Sequence, residues 1–334
     1  MFLESTISDI ENYPFLNPFR FENDPSKKYW HISTLESLLE ENWNSIEEGV
    51  TENREYLAAR EKIFSSSVFQ YFTDQKNRII QESLETDNSF QILGAYTCLL
   101  DSIVEKAFDY SFIDIPLIKE RLVEELNHEL NYKQKNLPEK KEKLKLLKEQ
   151  ILEMEKNLES GSSSSREYRY FQEVESQHES ETRILEERIE ELQQLIPQIQ
   201  DFTNDKNFVL NHLVIFARGG YGRAELGLSS DRDLGYCLDT NRLNNGEAEM
   251  LRQLIVHIEN LLRNSGVETA HQYFEIDEDL SRFDEVNTLH TIPSILESRV
   301  LLGSESLATN LKNRFFQVIT FEPYVLNLVR SFSE

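Results

Sequence analysis

Cysteine, positive charge and long apolar runs are all scarce in this chain. Only two cysteines, Cys98 and Cys237, occur among 334 residues. Both lie in apolar settings. That excludes a disulfide framework and reads as free thiols in a reducing compartment. Lysine and arginine number 35 against 60 acidic residues, giving a formal net charge of −25. This balance disfavours nonspecific binding to nucleic acid or to anionic membranes. It still admits a nucleotide, whose charge is screened by its metal. No apolar run approaches the roughly 20 residues needed to cross a bilayer. The start, Met1-Phe-Leu-Glu-Ser-Thr6, lacks the basic-then-apolar order of a signal peptide, so the expected setting is cytoplasmic. Hydrophobic residues make up 39% and charged residues 28%, enough for a core beside long polar helices.

What the chain does have is concentrated between Phe216 and Leu238. An apolar run, Leu210 to Ala217, reads as a buried strand. Gly219, Gly220 and Gly222 then fall within four residues, where the backbone must turn tightly or approach a ligand. Asp231 and Asp233 follow, two apart, ahead of the apolar run Leu234–Leu238. Residues i and i+2 of a strand share a face, and two adjacent carboxylates repel unless a cation lies between them. Strand, glycine turn and Asp-x-Asp together suit phosphates held with a divalent ion. Backbone N–H groups at Gly219 and Gly220 would cradle phosphates. Arg223 would add a bidentate contact to a phosphate oxygen. Ser230 would bond a phosphate or orient Asp231. Mg²⁺ or Mn²⁺ on Asp231 and Asp233 would serve transfer to an acceptor at the α-phosphorus of a nucleoside triphosphate.

Around this centre the pattern predicts an α+β protein with three regions. Residues 1–117 read as helical, after an aromatic, proline-bearing start (Tyr13-Pro14-Phe15, Pro18-Phe19). Leu35, Leu38, Leu39 and Trp43 form one apolar face. Residues 118–206 read as an antiparallel coiled-coil hairpin. One arm spaces Leu137, Leu144, Leu147, Ile151, Met154 and Leu158; the other spaces Leu185, Ile189, Leu192, Ile196 and Ile199. A serine-rich turn at 160–165 joins them. Pro138 and Pro197 are expected to kink an arm or mark its base. The seven lysines from Lys133 to Lys148 read as a solvated face. Residues 207–334 read as a small mixed sheet with helices: a third strand near Val267–Ile276, then helices at Glu247–Asn264 and about Thr288–Val318. His128, His178 and His257 have no ligand spacing and read as surface residues.

Two segments carry a family resemblance: Gly219-Gly-Tyr-Gly-Arg-Ala-Glu-Leu226 and Ser230-Asp-Arg-Asp-Leu234. They resemble the signature of the GlnD-like branch of the polymerase-β-type nucleotidyltransferases, whose members uridylylate the signalling protein PII. Glu297-Ser-Arg-Val-Leu-Leu-Gly303 is similar to a helix end of that family, and Tyr96–Val104 to a helix before its first strand. The resemblance implies an Mg²⁺-dependent transfer of NMP from NTP to an acceptor hydroxyl, with a protein as acceptor. It also implies a third carboxylate on the third strand, and Glu275 is the candidate. Position 224 is Ala where the family has Gly. The family's Gly-His-Ser-Val-Arg-Thr stretch is here Ala270-His-Gln-Tyr-Phe-Glu275, with His271 retained and the arginine lost. No HD phosphohydrolase motif or ACT-like tail is present. The hairpin is expected to recognise an acceptor or partner, or to join copies of the chain in a homo-oligomer. The alternative is a coiled-coil regulatory protein whose nucleotidyltransferase domain is degenerate and inactive.

Overall fold

The computed structural model describes residues 35, 37, 39, 53–85, 89–159, 165–228, 230–267, 269–276 and 294–319. Expectations for the aromatic start, Leu38, Trp43, the serine-rich turn and the first residues of the helix from about Thr288 lie outside them. Two compact units emerge: 119–202 with 245–247, and the remainder of the chain. The sequence pattern separates the N-terminal helices and the segment after 206 into two regions. They belong to one unit.

Helices α1 (Asn53–Glu85) and α2 (Ser89–Ile113) open that unit. Their buried faces follow the 3.6-residue period: Phe64, Val68, Tyr71 and Phe72 on α1, and Tyr96, Leu99, Ile103 and Ala107 on α2. The Phe64 and Tyr110 rings lie 4.9 Å apart. Polar contacts bind these helices to the later part of the chain. Arg299 donates two hydrogen bonds to Asp101, at 2.8 and 2.9 Å. Asp114 is buried, accepts from Arg60, and faces His257 Nε2 at 3.4 Å. His257 Nδ1 lies 3.3 Å from Glu61. His257 is therefore a core residue at 1% exposure, not the surface residue expected. Burial alone would lower its imidazole pKa; Asp114 and Glu61 overcome this and raise it.

The sheet lies downstream. Helix α5 (Lys206–His212) follows N-cap Asp205, whose side chain accepts from the Asn207 N–H, and leads into β1 (Leu213–Ala217). The first strand thus starts three residues later than its apolar run. A short turn, α6 (Gly219–Gly222), connects to β2 (Asp233–Leu238). Helix α7 (Asn245–Asn264) precedes β3 (Ala270–Glu275), and β4 (Arg299–Gly303) precedes α8 (Glu305–Ile319). The order is β3-β2-β1-β4, with β2 and β3 parallel and the other pairs antiparallel. The helix expected across 288–318 is thus interrupted by an edge strand. The run Arg299–Leu302 pairs with β1 and skips a partner at Leu301, a β-bulge.

Strand alternation sorts the faces. Val214, Phe216, Cys237 and Phe274 pack with Leu307, Leu311 and Phe315 of α8. On the other face, His271 contacts Glu259 of α7 at 3.4 Å, and Glu275 accepts from Arg252 of α7 at 2.7 Å.

The second unit is built on α3 (Ile115–Glu159) and α4 (Ser165–Gln200). Their pairing order runs in reverse, as antiparallel helices require. Arg188 donates to Glu129 at 3.0 and 3.1 Å, Lys141 pairs with Glu186 at 2.6 Å, and Lys148 pairs with Glu179. Leu147 and Ile151 are buried, as are Ile189, Leu192, Ile196 and Ile199. Pro138 and Pro197 both sit inside continuous helices. At the hairpin's base, Lys119 Nζ bonds the Gln200 and Phe202 carbonyls at 3.1 and 3.3 Å.

Candidate functional site

The site forms where β1 ends and β2 begins. Arg218 is extended (φ −123°, ψ 166°), and its N–H donates to the Asp233 carbonyl at 2.9 Å. The chain then turns. Gly222 N–H donates to Arg218 O at 2.9 Å and Arg223 N–H to Gly219 O at 3.1 Å. The first N–H groups of a helical turn have no acceptor within it, so those of Gly219 and Gly220 open the turn. A Cβ on Gly219 would lie 3.3 Å from Asp233 Oδ2, whereas one on Gly220 would meet nothing within 4 Å. Gly222 has a different role. Its Cβ would stand 2.7 Å from Glu297 O and 2.9 Å from Ala217 O, so it lets two backbone segments touch.

Ala224 closes the turn at φ 57°, a left-handed conformation in a position where the resembled family carries glycine. Ala224→Gly is expected to stabilise the protein by about 0.5–1 kcal/mol, the Cβ strain relieved less the chain entropy gained on unfolding. Chemical denaturation of the two proteins measures this.

Asp231 precedes β2 and is exposed; Asp233 is the first residue of β2 and half-buried. Between them, Arg232 points the other way, donating to Tyr96 Oη at 2.9 Å. Asp231 and Asp233 therefore address the same side. Burial raises the pKa of Asp233, the Arg218 guanidinium opposes this, and the Asp231 charge adds to it.

The other expected residues are placed differently. Arg223 is held by Glu225 at 2.7 Å and by Glu297, so carboxylates already engage its guanidinium. Ser230 Oγ accepts from the Gly227 N–H at 3.1 Å, closing the loop ahead of Asp231. Glu275 is not brought to the aspartates. Asp233 stands opposite Ala270 in the parallel β2/β3 register, and Glu275 stands opposite Leu238. Five residues of strand separate the two levels, about 17 Å. An odd offset also puts Glu275 on the opposite face. There its Oε1 accepts from Arg252 and, at 2.7 Å, from Tyr273. His271 shares that face.

On the face of Asp233, β3 offers Ala270 and Gln272, the latter opposite Gly235. Gln272 Oε1 accepts a hydrogen bond from Arg218 Nη1. Arg218 follows β1, and β2 lies between β1 and β3, so its side chain spans the strand that carries Asp233. Neither Arg218 nor Gln272 stood out in the sequence. Two-residue alternation from Phe216 would have put Arg218 on the Asp233 face once β1 and β2 were paired.

Mg²⁺ takes one or two carboxylates and completes its shell with substrate phosphates and water, so Asp231 and Asp233 suit one divalent ion. A second ion finds no third carboxylate on this face of β3. Among the described residues, no group of three or more His, Cys, Asp or Glu gathers to hold a metal.

Among the described residues no helix is long and apolar enough to cross a membrane. No family model matches the chain. Over 115 residues, 34% of its length, it is 30% identical to the bifunctional uridylyltransferase/uridylyl-removing enzyme of Zymomonas mobilis. Over 101 residues, 30% of its length, it is 34% identical to the enzyme so described from Azospirillum brasilense. The matched stretches are 12% and 10% of those relatives, so the chain spans about a tenth of their length. The similarity is partial and distant, and it relates the chain to nucleotidyltransferases at that coarse level.

Proposed function

We propose that the unit holding the sheet binds a nucleoside triphosphate and transfers its nucleotidyl group to an acceptor hydroxyl. The observation that carries this reading is the convergence of the Gly219-Gly220 turn on Asp233, with Asp231 on the same side. Backbone N–H groups of the turn receive the terminal phosphates, where Gly220 leaves open space. Asp231 and Asp233 would hold one Mg²⁺ or Mn²⁺, which would screen the phosphate charge and polarise the α-phosphorus. The acceptor hydroxyl gives its proton to solvent as its oxygen bonds to that phosphorus, and the bond to the bridging oxygen breaks, releasing pyrophosphate. Uridylyl transfer, the activity that names the relatives, makes UTP the first nucleotide to test, with a protein side chain as acceptor. The hairpin supplies a surface for that acceptor, for another partner or for a second copy of the chain. A nucleotide-dependent reaction of this kind fits a cytoplasmic setting.

A second reading is favoured by Gln272 in the place a third carboxylate would take: the domain binds nucleotide without transferring it, and the hairpin serves a regulatory partner. Incubation with each labelled NTP, Mg²⁺ or Mn²⁺ and a host lysate separates the two. Label on a protein supports transfer; nucleotide binding without labelling supports the second reading.

Gly220→Val tests the cradle. The space around Gly220 is open, so the variant is expected to fold while the isopropyl group fills the phosphate position. Calorimetry should show Mg-UTP affinity falling by about 10-fold or more, the loss of one or two charge-assisted hydrogen bonds. Unchanged affinity would mean that these glycines only turn the chain.

A further inference from the structure

Arg218 is an unusual residue to find beside a phosphate turn. It is only 7% exposed, and among the described residues its Nε has no hydrogen-bond partner. A guanidinium carries five donors and cannot shed its charge at neutral pH. Taking such a charge out of water costs several kcal/mol unless its surroundings compensate. Among the described residues the compensation is thin: Gln272 and Ser294 are neutral, the Ser294 Oγ contact is long at 3.4 Å, and the opposing charge is that of Asp233. The group lies across β2, on the face to which Asp233 points, at the mouth of the glycine turn. A buried, incompletely satisfied cation held there is arranged for an anion that arrives later.

We propose that Arg218 is a built-in cation of the nucleotide site, contacting a triphosphate oxygen where a second divalent ion would otherwise stand. This rests on the nucleotide reading above. Gln272 fits it, because an amide carbonyl orients a guanidinium without neutralising it. A carboxylate in the same place would cancel the charge and provide a metal ligand instead. The consequence is that nucleotide binding depends less on divalent metal than a site of carboxylates alone would allow.

The test is UTP and ATP binding by calorimetry, in Mg²⁺ and in EDTA, for wild type, Arg218→Met and Gln272→Glu, each first checked for cooperative melting. Wild type is expected to keep its affinity in EDTA to within about 10-fold of that in Mg²⁺. Arg218→Met is expected to lose about 10-fold to 100-fold in both buffers, the worth of one charged hydrogen bond. Gln272→Glu is expected to bind only when Mg²⁺ is present, and it decides the matter should Arg218→Met fail to fold. Wild-type binding that vanishes in EDTA, or an Arg218→Met variant that binds as wild type, overturns the role of Arg218 and leaves the nucleotide reading standing. No binding by wild type in either buffer overturns both.

Discussion

Asp231→Asn and Asp233→Asn are each expected to lower nucleotidyl transfer by at least about 10²–10³-fold, the scale seen when one preorganised charge partner is removed from a phosphoryl or acyl centre. The fold should survive. In the free protein, burial and the Asp231 charge raise the Asp233 pKa, and Arg218 only partly offsets them. For an acid whose folded pKa is raised, the stabilising contribution is complete below the unfolded pKa and is lost as pH rises through the folded value. At neutral pH, ionised Asp233 is therefore a standing cost to the free protein, and asparagine removes it. Melting at pH 7 should place Asp233→Asn at or above wild type, while radiolabel transfer falls to background. A variant that keeps wild-type transfer would remove Asp231 and Asp233 from the site. One that loses both transfer and its cooperative melt would make the carboxylate a structural group.

The largest expected loss of stability belongs to Gly303. It ends β4 at φ 94°, and a Cβ there would fall 1.9 Å from the Leu213 carbonyl oxygen, which also accepts from the Ser304 N–H at 3.3 Å. Backbone strain and overpacking against β1 add, so Gly303→Ala should destabilise by about 3 kcal/mol or more. Gly94 provides the control. It lies within α2 with nothing within 4 Å of its notional Cβ. The same added methyl in Gly94→Ala should stabilise by about 0.5–1 kcal/mol. Urea titration of both variants measures the contrast. Equal, small effects would show that β4 moves away from β1 without cost.

The glycine turn and the Asp231/Asp233 pair were legible in the sequence because both are local: residues within four positions fix a turn, and alternation fixes a shared side. Glu275 was misplaced because its position depends on register. Nothing in Ala270–Glu275 alone says which residue stands opposite Asp233, and an odd offset sends a side chain to the other face. Arg218 and Gln272 were missed for the same reason, being neighbours only through β2. The strand at Arg299–Gly303 was hidden because a short apolar run flanked by helix formers fits either period. Its pairing with β1 decides the matter. The sequence places His257 at the surface because its partners, Glu61 and Asp114, are far away along the chain.

The base of the hairpin has a consequence for how the chain folds. The sheet-bearing unit draws on residues before 119 and after 202, as the Asp101–Arg299 pair shows. Closing a flexible loop of about 80 residues would cost roughly 4 kcal/mol of chain entropy, plus a constant, before any such contact formed. Helices α3 and α4 form from local contacts, which assemble fast. Once antiparallel and pinned where Lys119 meets the Gln200 and Phe202 carbonyls, they deliver the two flanking segments side by side. The hairpin thus turns a long-range encounter into a short-range one, and the expected order of folding has the arms zip before the sheet closes.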